Sequence, residues 1–162
     1  MSNEQNNQTQ APVLVPAAEE QAISRSVMVW INTCPYIPDD ISRVNFEQFQ
    51  VDVAGQPLVP SMALSVIQGT YMLRRYITGG HRGEYQFALF YRIRPGNSND
   101  ARLQADETLN AMGDWVSQNW PELGGDIKVV VAEPTTRAAL LGVTESGEED
   151  HQILLHIIYE IV

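Results

Sequence analysis

Residues 84–95 read EYQFALFYRIRP, and the fold depends on whether they form a strand. Tyr85, Phe87, Leu89, Tyr91 and Ile93 fall on one side of the alternation, and Gln86, Ala88, Phe90, Arg92 and Arg94 on the other. A period of two with one wholly apolar or aromatic side predicts a β-strand whose first side faces a core. The second side combines one large aromatic with two arginines. A purely solvated face has no need of Phe90, so this face is expected to touch something.

Upstream, residues 63–77 predict a second long strand, and 78–83 (TGGHRG) a glycine-rich turn. Residues 63–94 therefore read as one long antiparallel hairpin. In its first strand, Ile67, Gly69, Tyr71, Leu73 and Arg75 share one face, and Met72, Arg74 and Tyr76 the other. Gly69 marks a bulge or a close backbone approach. Residues 44–53 predict an earlier strand with Phe46 alternating against polar neighbours, broken by 54–61 (AGQPLVPS).

Downstream, Ser98 or Asn99 can cap a helix running to about residue 119, with Asp100 at its positive end. Ala105, Leu109, Met112, Val116 and Trp120, at spacings of four, three, four and four, form its apolar stripe. Strands are predicted over 127–132, 137–144 and 152–162, with Ile153, Leu155, Ile157, Tyr159 and Ile161 on one face of the last. Near the N-terminus, Pro16, Glu19 and Glu20 suit a helix start, Ile23, Val27, Trp30 and Ile31 share a face, and Pro35 ends the helix near residue 33. The expected order is α-β-β-β-α-β-β-β. That is an α+β fold, mostly antiparallel sheet with a long hairpin and two packed helices.

Residues 1–16 read as an arm and 17–162 as a single domain. Residues 1–10 are Asn/Gln-rich and are expected to contribute little. Val13, Leu14 and Val15, bracketed by Pro12 and Pro16, are too apolar for a pure linker and are expected to contact the body or a neighbouring subunit.

The chain of 162 residues carries a formal charge of −10 and 44% hydrophobic residues. It should fold with a sizeable core, and it is a poor general nucleic-acid binder, which needs a basic surface. Cys34 is the one cysteine, so neither an intrachain disulfide nor a thiolate metal cluster is expected. The polar N-terminus has no secretory pattern, and no run is long and apolar enough to span a membrane. The cytosol, or a particle assembled there, is the expected compartment.

The search for chemistry ends in expected absences. His81 lies in the glycine-rich turn, His151 follows an acidic one, and His156 lies on the last strand opposite the Tyr159 face; none has a metal-ligand spacing. Residues 148–151 (EEDH) read as a solvated turn. Cys34 has no histidine placed to activate it and reads as a small buried side chain. Neither catalysis nor a cofactor is expected. One feature is uneven: Arg74, Arg75, Arg82, Arg92 and Arg94, five of the ten basic residues, lie in the hairpin with Glu84 alone against them. The bland reading is a protected sheet edge. The sharper one is an interface to a neighbouring copy or partner through Arg74, Arg75, Phe90, Arg92 and Arg94, with Met72 beside them, since arginine and aromatic residues are enriched in interface cores.

The segment GEYQFALFYRIRPGNSNDARLQADETLNAMGDWV (83–116) resembles the tailed-phage minor capsid and tail terminator proteins, in its aromatic strand, short loop and following helix. The order of helix, long hairpin, helix and strands is similar to that fold over residues 17–162. The resemblance implies a non-enzymatic virion protein at the head-proximal end of the tail, assembled in the host cytoplasm. It implies a ring, commonly of about six copies, that caps the tail tube protein and joins it to the head–tail connector or stopper. DNA would pass through the lumen without specific binding, and an acidic wall would not trap it. The resemblance brings no catalytic residue. Other readings stay open: another head–tail joining or tail tube protein, a small-molecule-binding α+β regulatory domain, or an enzyme with an unmarked site around His81 and Arg82.

Overall fold

The computed structural model describes residues 17–69 and 71–162. The arm expectations for Val13, Leu14 and Val15 lie outside those residues. Helix α1 (Ala17–Ile31) is followed by β1 (Val44–Phe46), β2 (Ser61–Val66), β3 (Met72–Arg75) and β4 (His81–Ile93). Helix α2 (Asn99–Gln118) then precedes β5 (Ile127–Pro134), β6 (Ala139–Val143) and β7 (Glu149–Ile161). The class is α+β: among the described residues, two helices and a mixed seven-stranded sheet.

The sheet has a spine. The thirteen-residue strands β4 and β7 pair antiparallel along their whole length, from His81 opposite Ile161 to Ile93 opposite Glu149. Each long strand carries two short ones on its outer edge: β2 and β3 on β4, β5 and β6 on β7. The continuous pairing gives both strands the same parity, so odd-numbered residues of β4 and β7 share a face. Tyr85, Phe87, Leu89, Ile93, Ile153, Leu155, Ile157 and Tyr159 are buried there. Both helices cover that face. Helix α1 places Ile23, Val27 and Ile31 in the core, and α2 places Ala105, Leu109, Met112 and Val116. Trp30 stacks on Trp115, ring centroids 5.4 Å apart, and stands edge-on to Phe87 at 6.5 Å. The Tyr85 hydroxyl meets Ser24 Oγ at 2.8 Å, and burial pushes its pKa up to about 12.

Four sequence expectations change. The predicted strand over 63–77 is two strands, because five residues (67–71) stand against three (84–86) on β4. A side chain at Gly69 would collide with Gln86, whose Nε2 lies 2.9 Å from an ideal Cβ. The hairpin therefore keeps its antiparallel sense but is broken there, and the chain has one strand more than expected. The sheet is not antiparallel throughout, since β1 runs parallel to β2. The strand expected over 44–53 stops at Phe46, because Glu47 turns left-handed at φ 66°. The Glu47 amide donates to Leu64 O at 2.7 Å, and its carboxylate accepts from Ser65 Oγ at 2.8 Å. Trp120 lies past the end of α2 and is 47% exposed, so the apolar stripe ends at Val116.

Other expectations hold. Ser98 caps α2, its hydroxyl accepting from the Ala101 amide at 3.1 Å, and Cys34 is buried. Gly83 is backbone only for a reason: an ideal Cβ there would lie 2.4 Å from the Tyr159 ring and hydroxyl. Tyr159 closes this end of the core, donating to Glu19 Oε2, which also meets His81 Nε2. His81 thus opens β4 and ties it to α1, rather than sitting in a turn.

Candidate interaction face of the sheet

The even-numbered face of the spine carries no helix among the described residues. Down β4 it presents Arg82, Glu84, Gln86, Ala88, Phe90 and Arg92. Opposite them on β7 stand Glu160, Ile158, His156, Leu154, Gln152 and Asp150. Phe90, Leu154, Ile158 and, from β5, Val131 are half-buried but do not join the core cluster. Ala63 and Ala88 lie buried between them and the β2 edge. The result is a half-buried apolar band on a face that no helix among the described residues covers.

Charged rungs flank the band, and they are in register. Arg92 forks onto Asp150, with Nε to Oδ1 at 2.7 Å and Nη2 to Oδ2 at 2.8 Å, and its guanidinium lies 4.4 Å from the centre of the Phe49 ring. Just beyond the strand, Arg94 Nη2 donates to Glu148 Oε1 at 2.7 Å. At the other end Arg82 Nε donates to Glu160 Oε1 at 3.0 Å, and Tyr76 adds a hydroxyl bond to the same oxygen at 2.9 Å. Between them His156 bridges two carboxylates, Nδ1 to Glu84 at 2.6 Å and Nε2 to Glu133 at 3.1 Å. Opposite charges directly across a strand pair stabilise the pairing, and a forked Arg–carboxylate pair fixes geometry as well.

This changes the weight of the predicted residues. Phe90 stands on the open face, as the alternation required. Arg92 and Arg94 lie on the same side, but their charges are matched within the chain by Asp150 and Glu148. Three of the five hairpin arginines, Arg82, Arg92 and Arg94, are thus paired with carboxylates of β7 and the turn before it. Arg74 is exposed on the Phe90 side, beside Arg82 and 5.7 Å from the Tyr76 ring; Arg75 is exposed and lies opposite His81. Met72 pairs with Gly83 and so belongs to the helix-covered side, away from Phe90. Leu154, Ile158 and Val131 are the contributions that alternation alone missed. Their signal was the run ILLHII at 153–158, apolar on both parities except His156, which fits a strand with two partly covered faces.

Glu148 has the clearest electrostatics. Thr144 Oγ1 and Arg94 donate to its carboxylate, and together they hold its pKa down to about 2. A carboxyl whose folded pKa is depressed stabilises above its unfolded pKa and loses that contribution as pH falls through the folded value. For Glu148 the loss falls between the ordinary carboxylate range and about pH 2. The Glu148 carboxyl is expected to titrate near 2 by NMR and to return toward ordinary values in Thr144→Val combined with Arg94→Gln. A resonance titrating at an ordinary carboxylate pH in the parent would show that the turn does not hold this geometry.

Residues 148–151 are not the solvated turn expected. Glu149 is 5% and His151 2% exposed. His151 Nδ1 lies 2.8 Å from Asp106 Oδ1 on α2, and Nε2 lies 3.1 Å from Glu149 Oε1. Arg102 Nε donates to the other Glu149 oxygen at 2.7 Å. The group fastens α2 to β7. Among the described residues, no three His, Cys, Asp or Glu side chains converge as a metal-holding group. A shallow depression of about 270 Å³ is lined by Tyr36, Gln104, Glu107, Thr108 and Ala111. No helix among the described residues is long and apolar enough to cross a membrane.

No protein-family model matches the chain, and no curated protein matches its sequence.

Proposed function

We propose that this chain is a structural, non-enzymatic virion protein of a tailed bacteriophage, a ring-forming tail terminator that caps the tail tube and joins it to the head–tail connector. The likeness of residues 83–116 to that family is one support. The observation that carries the reading is the open sheet face: an apolar band around Phe90 between charge pairs already satisfied within the chain. Such a face has apolar area to bury and little unmatched positive charge, which fits a protein partner better than a polyanion. The overall acidic balance then suits a ring wall that DNA passes without being held. Phe90 is the anchor in this reading. Arg92 and Arg94 keep the surface around it flat and fixed. Another joining or tube protein of the same tail would use the same face.

The test mixes the purified protein with the tail tube protein and counts capped tubes by electron microscopy. Phe90→Asp is expected to keep its circular dichroism and melt within a few degrees of the parent, because Phe90 lies outside the core cluster, yet to lose most capping. Hot-spot aromatics typically cost at least about 2 kcal/mol on removal, on the order of thirtyfold in affinity. Capping by Phe90→Asp at parental levels would remove the face from the interface.

A further inference from the structure

The edges of the sheet are guarded unequally. Strand β1 is three residues long, β3 carries Arg74 and Arg75, and β5 carries Lys128, Glu133, a bulge and the terminal Pro134. These are the devices by which edges resist further pairing. Strand β6, ALLGV, shares a bulge, at Leu141, but has no charge and no proline, and all five of its residues are exposed. Leu140, Leu141 and Val143 stand 50, 55 and 61% exposed. Its partner is β7 on one side, and among the described residues nothing pairs with the other.

The strand is also held ready. The Ala138 amide donates to Asn110 Oδ1 of α2 at 2.9 Å, which fixes its entry. The Thr144 amide donates to Glu148 O at 2.8 Å, which fixes its exit. One charge lies just outside each end: Arg137 before it and Glu145 after it. Both are exposed and form no ion pair among the described residues. The sequence from 137 to 145, RAALLGVTE, is thus self-complementary when run against itself in the opposite direction.

We propose that two copies of this chain pair antiparallel through β6 about a two-fold axis at Leu141, with Arg137 of each opposite Glu145 of the other. In this register Ala139 meets Val143 and Leu140 meets Gly142. Leu141, the bulge residue without a partner on β7, meets its own copy on the axis. The contact joins two seven-stranded sheets edge to edge. It is isologous and closes on itself, so it is independent of the tail reading and of any surface that closes a ring.

Sedimentation velocity and native mass spectrometry of the full chain test this. The parent is expected to show a species that halves in mass in Leu141→Lys, and in Val143→Lys as a second exposed-site variant, with circular dichroism unchanged in both. Arg137→Glu and Glu145→Arg alone are each expected to weaken pairing about tenfold, as two attractive pairs become repulsive. An equimolar mixture of these two variants is expected to form heterodimers at least as well as the parent, because every cross-axis pair is again opposite in charge. The double variant Arg137→Glu with Glu145→Arg is expected to regain self-pairing. A parent whose mass Leu141→Lys leaves unchanged, or charge variants that neither the mixture nor the double change restores, would overturn the proposal.

Discussion

Phe87→Ala is expected to cost about 3–5 kcal/mol, the range for removing a fully buried phenylalanine, whereas Phe90→Ala on the same strand is expected to cost less than about 1 kcal/mol. Phe87 is 0% exposed. It lies between Val66 of β2 and Leu155 of β7 in register, beneath the Trp30 ring. Truncation would leave a cavity where both long strands and α1 meet, and Trp30 could close it only by giving up its stack on Trp115. Phe90 points the other way and lies outside the core cluster. A domain of this size is stabilised by about 5–15 kcal/mol in all. At about 2–4 °C per kcal/mol, Phe87→Ala should lower Tm by roughly 6–20 °C. Urea unfolding should show a lower midpoint with an unchanged slope, since the folded surface is the same. If the two variants unfold within about 1 kcal/mol of each other, the assignment of faces is wrong.

That contrast is the part of the fold the sequence made legible. Strict alternation over 84–95 assigned the two faces of β4, because one face of a sheet must be apolar and the other need not be. The helices were legible for a similar reason, with their apolar spacing and the Ser98 cap both local. What failed was not local. The parallel β1–β2 pair depends on how residues 47–60 return the chain, and no periodicity records a strand's direction. The break after Val66 depends on Gln86 filling the space beside Gly69, a contact across the hairpin. The arginine pairs were hidden for the same reason: Arg92 and Asp150 are 58 residues apart, and the register that joins them is a property of the β4–β7 spine. Within the hairpin the arginines form a basic strip, but across the sheet Arg82, Arg92 and Arg94 are paired with carboxylates. Phe90 remains, with Leu154 and Ile158, as the half-buried apolar part of that face outside the core cluster.

His151→Ala is expected to be as costly as Phe87→Ala, about 3–5 kcal/mol, through electrostatics rather than cavity formation. The sequence reading starts the last strand at 152 and leaves 151 in a solvated turn; only extending the alternation one residue back puts position 151 on the face of Ile153, Leu155 and Ile157. Its partners are not legible locally, since Asp106 lies 45 residues away on α2. Burial pushes the Glu149 pKa up, but bonds from Arg102 and His151 outweigh it and hold the carboxyl below its ordinary range. Without His151, Asp106 and one Glu149 oxygen face a vacated space, Arg102 Nε still bonding the other Glu149 oxygen, and the Glu149 pKa rises. The sign of the pH dependence follows. In the parent, a depressed carboxyl stabilises above the unfolded carboxylate pKa and loses that contribution as pH falls through the folded value. In His151→Ala, Glu149 protonates more readily and has less to lose. The Glu149 share of the stability gap should therefore be present above the carboxylate range and shrink as pH falls through it. A cavity alone would give a gap that does not depend on pH, so equal gaps in Tm at neutral and acid pH would remove the charged cluster as the fastening between α2 and β7.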